Sequence, residues 1–278
     1  MTEDSDLARA LRHIEDGEWD EAAALLRDAA AEQDDDPTVL CWLGVVEHEL
    51  GMDGVAYERF KRCLALNPED PNILATAGTG VARFDDPDAE PALRTAALKA
   101  PDLAYARTMY GAYLAREGML EEALRELNVA VELDPDDSEA RTERGVALAL
   151  SQNFGLAVDD FEQASRFGDS GWVRVLAGLA LHELGRLDEA AVELSLGARE
   201  RPEDVGAQLL AALATAGSGD PDTAWEMLER ARMVLSGADT GLLDEVEERL
   251  DDSAEAAAYF LAETLVPAAL HERLMARP

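Results

Sequence analysis

Seven alanines recur along the 278-residue chain at an almost fixed interval: Ala22, Ala56, Ala89, Ala123, Ala157, Ala190 and Ala224, spaced by 34, 33, 34, 34, 33 and 34 residues. A period in this range marks a stacked repeat array, in which each unit buries its apolar face only against its neighbours. Other slots keep the same beat. One holds Ala10, Gly44, Gly78, Gly111, Gly145, Gly178 and Ala212. A second, four residues after each alanine, holds Leu26, Phe60, Leu93, Leu127, Phe161, Leu194 and Leu228. A third, seven residues after, holds Ala29, Cys63, Ala96, Ala130, Ala164, Gly197 and Ala231. Offsets of four and seven fall on one helical face. Small residues let two backbones approach, and one large apolar side chain fills the space between them.

Each repeat therefore predicts two helices. The first runs through about 38–50, 72–84, 105–117, 139–151 and 172–184, and the second through about 54–66, 88–99, 121–133, 155–167 and 188–200. Gly17, Gly51, Gly118, Gly185 and Gly219 mark the turn between them, as suits a helix C-terminus. Pro68, Pro101, Pro135 and Pro202 end the second helix. Asp70, Asp137 and Asp204 are placed to cap the helix that follows.

These residues resemble the tetratricopeptide repeat family. Residues 104–137 match best, with Gly111, Gly118, Ala123, Leu127, Ala130 and Pro135 in the family's slots, and residues 37–70 follow through Leu43, Gly44, Gly51, Ala56, Phe60 and Pro68. The resemblance covers seven units, at about 3–36, 37–70, 71–103, 104–137, 138–170, 171–204 and 205–238. Two units depart from the pattern. Residues 71–103 are one residue short around Asp85–Asp88, and residues 138–170 carry Gln152-Asn153 in place of the turn glycine and lack the closing proline. The resemblance implies an all-α, right-handed α-solenoid of stacked helix-turn-helix repeats, closed by a helical unit at 239–278.

Composition narrows the partners. The net charge is −35, from 59 acidic residues against 24 basic ones, and Lys61 and Lys99 are the only lysines. Such a surface repels the phosphates of nucleic acids and an anionic membrane. Either a high-salt, halophilic source or a basic partner accounts for it; in the first case self-repulsion weakens the fold at low salt. The acidic start, residues 1–6, lacks the basic and apolar regions of a signal peptide. No stretch reaches the roughly 18 apolar residues needed to span a bilayer. Two cysteines make no disulfide framework, and Cys63 occupies a core slot. A cytoplasmic protein with reduced thiols is expected.

Nothing points to catalysis. His48-Glu49 and His182-Glu183 begin a zinc-binding HExxH pattern but lack its second histidine. Both histidines fall in the last turn of a first helix, where the helix dipole favours them. Ala77-Gly78-Thr79-Gly80 is the nearest glycine-rich run, and Gly78 is already a repeat core residue. No enzyme activity, metal or cofactor is expected.

The resemblance instead implies partner binding on a concave groove lined by first helices. Transferring the family's groove slots selects Thr38, Cys41 and Val45; Asn72, Ala75 and Thr79; Tyr105, Thr108 and Ala112; Glu139, Thr142 and Val146; Trp172, Val175 and Leu179; and Leu209 and Leu213. The stripe is dry for a chain with 30% charged residues. Two readings stand: strong curvature buries these residues between neighbouring first helices, or they take an apolar or amphipathic segment of another protein, with Tyr105 and Trp172 as anchors. The family's carboxylate clamp for chaperone tails is absent, since Asn72 alone fits it.

Arg107, Arg141 and Arg174 share one slot in consecutive repeats, and Arg83 and Arg116 end their helices. They are candidates for holding an anion, or for ion pairing with neighbouring acids. Beyond 238 the period stops. Leu242, Leu243, Val246 and Leu250 share one helical face, Ser253 can cap a second helix, and Pro267 opens a third with Leu270 and Leu274 on one side. That region caps the array, or dimerises through Tyr259, Phe260, Leu261 and Leu265, or folds back into a groove as a pseudo-ligand.

Overall fold

A computed structural model describes residues 5–32, 35–167, 170–235 and 240–276. The acidic start at 1–4 and the expected repeat boundary at 236–239 lie outside them. Every described element is helical. The chain divides into two compact units, Met1–Leu114 and Ala115–Pro278.

In the first unit the helices are α1 (Asp6–Glu15), α2 (Trp19–Glu32), α3 (Pro37–Glu49), α4 (Asp53–Ala65), α5 (Pro71–Ala82), α6 (Ala89–Lys99) and most of α7 (Ala104–Arg116). In the second, α8 (Leu120–Leu133), α9 (Ser138–Leu150), α10 (Phe154–Ala164), α11 (Ser170–Glu183), α12 (Leu187–Glu200), α13 (Val205–Gly217) and α14 (Pro221–Val234) continue the pairing. Then come α15 (Gly241–Asp252), α16 (Ala254–Phe260), a π-helical turn (Leu261–Leu265) and α17 (Val266–Met275). This is an all-α repeat fold, and the expected helices lie within a few residues of the observed ones.

Local chemistry sets the ends. Asp36 and Asp137 each accept two backbone amides of the helix they open, and Asp70 and Asp204 accept from Asn72 and Ala207 at 2.8 Å. These bonds satisfy donors that the first turn leaves unpaired. The small-residue slot works by contact. A Cβ on Gly145 would stand 2.5 Å from Phe161 Cε1, so the glycine makes room for the large residue of the following helix.

The turn glycines are left-handed, as at Gly118 (φ 76°) and Gly185 (φ 72°). Both departing repeats keep that geometry without glycine, at Gln152 (φ 61°) and Asp85 (φ 53°). The shortened loop of the third repeat is pinned by α4. Tyr57 donates to Asp86 at 2.7 Å, Lys61 donates to Asp86 at 3.0 Å and to Asp88 at 2.8 Å, and the Asp88 amide donates to Asp86 at 2.8 Å. Burial alone would raise the Asp86 carboxyl, but these donors outweigh it and hold it at about 2.

From α1 to α6 and from α8 to α14 neighbouring helices pack in chain order, and α3 also touches α5 directly. At the end of the second unit, α15 packs on α13 and α14, and α16 packs on α13 and α15. They cover the last repeat, as a solenoid end requires. The last helix does something else: α17 leaves them and contacts α11 and α9.

Candidate functional site

The expected groove slots divide by depth. Cys41, Ala75, Thr108, Ala112, Val146, Val175, Leu179, Leu209 and Leu213 are buried. Their assignment as open groove floor is corrected: they are packing residues with almost no surface to offer. For Cys41 the cause is the direct approach of α3 and α5, which sets its Sγ 3.9 Å from the Ile73 carbonyl. Thr108 spends its hydroxyl on the Ala104 carbonyl at 3.0 Å, and Thr142 on Ser138 at 2.8 Å. Thr38, Val45, Thr79, Tyr105, Thr142 and Trp172 keep partial exposure, and Asn72 and Glu139 are exposed. Tyr105 meets the Thr76 hydroxyl at 3.0 Å.

The arginine ladder is engaged internally. Arg107 and Arg141 donate to the carbonyls of Pro101 and Pro135, each at 2.6 Å, and Arg141 also reaches Asp160 at 3.3 Å. Arg174 is paired with Glu193 at 2.9 Å and Glu200 at 3.1 Å. Of the two readings, ion pairing within the chain is the one that Arg141 and Arg174 follow, while Arg107 is held by a main-chain carbonyl. Arg83 also has a partner within the chain.

Arg116 is different. It grips Glu143 through two bonds, 2.7 and 3.0 Å, with both side chains buried. Its Nη2 also donates to the carbonyl of Ala276 at 3.0 Å, 160 residues away. Ala276 is the first residue past α17, in extended conformation, so this bond ties down the chain where it leaves the helix.

One apolar stripe seats α17. Val266, Leu270 and Leu274 are buried at positions i, i+4 and i+8. They join the core that includes Leu209, Leu213 and the partly buried Trp172. A polar anchor stands beside the stripe. Arg273 forms two bonds of 2.8 Å with Asp204, and its guanidinium lies 5.2 Å from the Trp172 ring centroid. Such a planar, bidentate pairing adds direction to charge. A Cβ on Gly206 would stand 3.1 Å from Arg273 Nη2, so the bare backbone leaves space for it. Burial raises the Asp204 carboxyl, but Arg273 and the Ala207 amide overcome this and leave it below the usual range. A recess of about 530 Å³ runs between Trp172, Leu209 and Gly206 on one side and Leu265, Ala269 and Glu272 on the other.

Near Arg116, Glu139 retains exposed surface, yet desolvation by the surrounding protein pushes its carboxyl up to about 7. The charges of Glu143 and Asp137 add to the rise, and Arg116 opposes it.

The expected dimer surface is reduced, because Phe260 and Leu261 are buried within the chain while Tyr259 remains exposed. Capping and fold-back both occur, divided between α15–α16 and α17. The fold-back was foreshadowed only by Leu270 and Leu274 on one side of the last helix; the contacts of Arg116 with Ala276 and of Arg273 with Asp204 had no periodic signal. His48 pairs with Asp53 at 2.7 Å across its turn, and burial lowers His182. Among the described residues no group of three His, Cys, Asp or Glu is placed to hold a metal, and no helix is long and apolar enough to cross a membrane.

A family model described as tetratricopeptide repeat matches residues 7–71 and 121–171. No curated protein matches the chain. Among solved structures, the Cut9–Hcn1 hetero-tetramer of APC/C aligns over 87% of this chain and 48% of its own, at 17% identity and a TM-score of 0.71. Pseudomonas aeruginosa pilF aligns over 78% of this chain and 98% of its own, at 19% identity and a TM-score of 0.61. TTC0263, a thermophilic TPR protein of Thermus thermophilus, aligns over 64% of this chain and 98% of its own, at 24% identity and a TM-score of 0.56. These likenesses concern the fold.

Proposed function

We propose that this chain, which belongs to the tetratricopeptide-repeat family, is a non-enzymatic protein-binding scaffold that takes an amphipathic helix on the first-helix face of its second unit. The observation that carries the reading is the helix already lying there. α17 is held on α9 and α11 by one apolar stripe and by polar anchors at its C-terminal end. Helix-in-groove recognition uses the same parts: apolar anchors at helical spacing and a few placed polar groups. Trp172, partly exposed and able to stack on a cation, is the natural hot spot.

The first unit offers a second, more polar face through Thr38, Asn72, Thr79 and Tyr105, with Val45 beside them. It supports weaker, hydrogen-bonded contacts rather than burial of an apolar stripe. The test is affinity capture from the source cells, in their own salt, by the tagged full chain and its Trp172→Ala variant. Capture of a partner by the parent and its loss in the variant, at unchanged helicity, is the expected result. Equal capture by both overturns the assignment of the face.

A further inference from the structure

We infer that α17 is a removable latch on the helix-binding face, and that the partner it excludes carries α17's own pattern. That pattern is an amphipathic helix with apolar residues at i, i+4 and i+8, an arginine at i+7, and a C-terminal end that reaches Arg116. The inference rests on the helix-binding reading above and adds to it the partner's chemistry and the regulation of access.

Three features separate α17 from the rest of the C-terminal region. First, the array's end is covered by α15 and α16, which pack on α13 and α14. The fold therefore does not need α17 as a cap. Second, the joint before α17 is loosened. Residues Leu261–Leu265 form a π-helical turn in which the Val266 amide reaches back to the Leu261 carbonyl, and Pro267 follows with no amide to donate. Hydrogen bonding across the joint is thus poorer than in the helices on either side. Third, α17 adds only ten residues beyond the π turn to the helical backbone that runs on from α16, and so short a stretch is marginal in water once its side chains let go. A longer amphipathic helix starts with an advantage over it.

The receiving face specifies its ligand. Asp204, already ordered by capping α13, presents its carboxylate to a guanidinium beside the Trp172 ring, and Gly206 leaves the room. Lysine would lose the two-pronged geometry. Arg116, fixed by Glu143, receives a main-chain carbonyl and so reads a helix end rather than a side chain. Leu270 and Leu274 point out the apolar spacing. The net charge of −35 favours a basic helix over an acidic one.

The test is a fluorescence-anisotropy titration with a labelled peptide of residues 264–276 as the probe. The titrated proteins are the full chain, the full-chain Leu270→Ala/Arg273→Ala variant, and Arg273→Ala alone, which leaves the apolar stripe in place. A closed latch weakens apparent affinity by the fraction of open molecules. The double variant is expected to bind the peptide at least ~10-fold tighter than the parent, and the single variant to fall between them. A peptide carrying Arg273→Ala is expected to lose roughly tenfold on the double variant. Equal binding by parent and variants overturns the latch and leaves the helix-binding reading standing. No binding to the double variant, at native helicity, overturns that reading and the inference with it. Undiminished binding of the arginine-free peptide overturns the partner pattern. A parent dimer by light scattering that becomes monomeric in the double variant overturns a latch closed within one chain.

Discussion

The two first-helix faces are built from one repeat and finish differently. In the first unit the leading slots hold Thr38, Asn72 and Tyr105, which keep partial or full exposure. In the second unit the same slots hold Glu139, Trp172 and Gly206, and α17 lies beside the last two. The repeat decides which residues look toward the face. The side chains in the leading slot decide whether a helix can settle there. An aromatic ring next to a glycine makes a seat for an arginine-bearing helix; threonine, asparagine and tyrosine do not.

The buried acids sharpen that comparison most. Glu143 faces Arg116 with both side chains buried, whereas Glu47 is buried against Arg59 and Arg27, whose side chains are 38% and 48% exposed. Glu143→Ala strands a buried cation and is expected to cost about 3–5 kcal/mol. Glu47→Ala releases arginines that can turn to water and is expected to cost about 1 kcal/mol. Denaturant unfolding of both variants measures the difference, and equal costs break the comparison.

Next in size are two leucine truncations in the second unit, each removing about 2–5 kcal/mol of local packing. Leu213→Ala, in the core of α13, is expected to lower the global midpoint. Leu274→Ala is expected to loosen α17 while moving that midpoint little. A similar drop in both would make α17 part of the core rather than an addition to it.

The titration of Glu139 gives a smaller effect with a defined sign. Its carboxyl is raised to about 7 in the folded chain, so the fold prefers it protonated. That preference is fully present below the unfolded value near 4.5 and is lost as pH rises through about 7. Glu139→Gln is therefore expected to raise Tm at pH 8 and to leave it nearly unchanged at pH 4, with the gain limited by solvent screening. A gain that is larger at pH 4 contradicts the assignment. Smallest is the turn in the fifth repeat: Gln152→Gly relieves a left-handed residue and is expected to add about 1 kcal/mol. Asp85→Gly should gain less, because aspartate tolerates that region better.

Much of the fold was legible because its information is local and repeated. The alanine beat marks the helices, and the Gly145–Phe161 fit is visible as two slots at a constant offset. Even the departures keep the rule, since Gln152 and Asp85 adopt the glycine's backbone conformation. The site was less legible for two physical reasons. Helical spacing tells which side of α3 carries Cys41, but not that α5 comes close enough to bury it. Nor does any period link Arg116 to Ala276 or Asp204 to Arg273, which meet across 160 and 69 residues. The arginine ladder left two readings open for a related reason: a shared slot does not say whether each rung meets a ligand or, as here, its own proline carbonyl or a nearby acid.

The central claim is that α17, although Val266, Leu270 and Leu274 enter the core at the receptor face, is an occupant that can leave it without unfolding the repeats. Amide hydrogen exchange on the full chain, read by mass spectrometry, tests it most directly. The account predicts that residues 266–275 exchange through local opening, much faster than α13, α15 and α16, and that Arg273→Ala accelerates α17 alone. Exchange of α17 in step with α13 and α16, only through global unfolding, would contradict it.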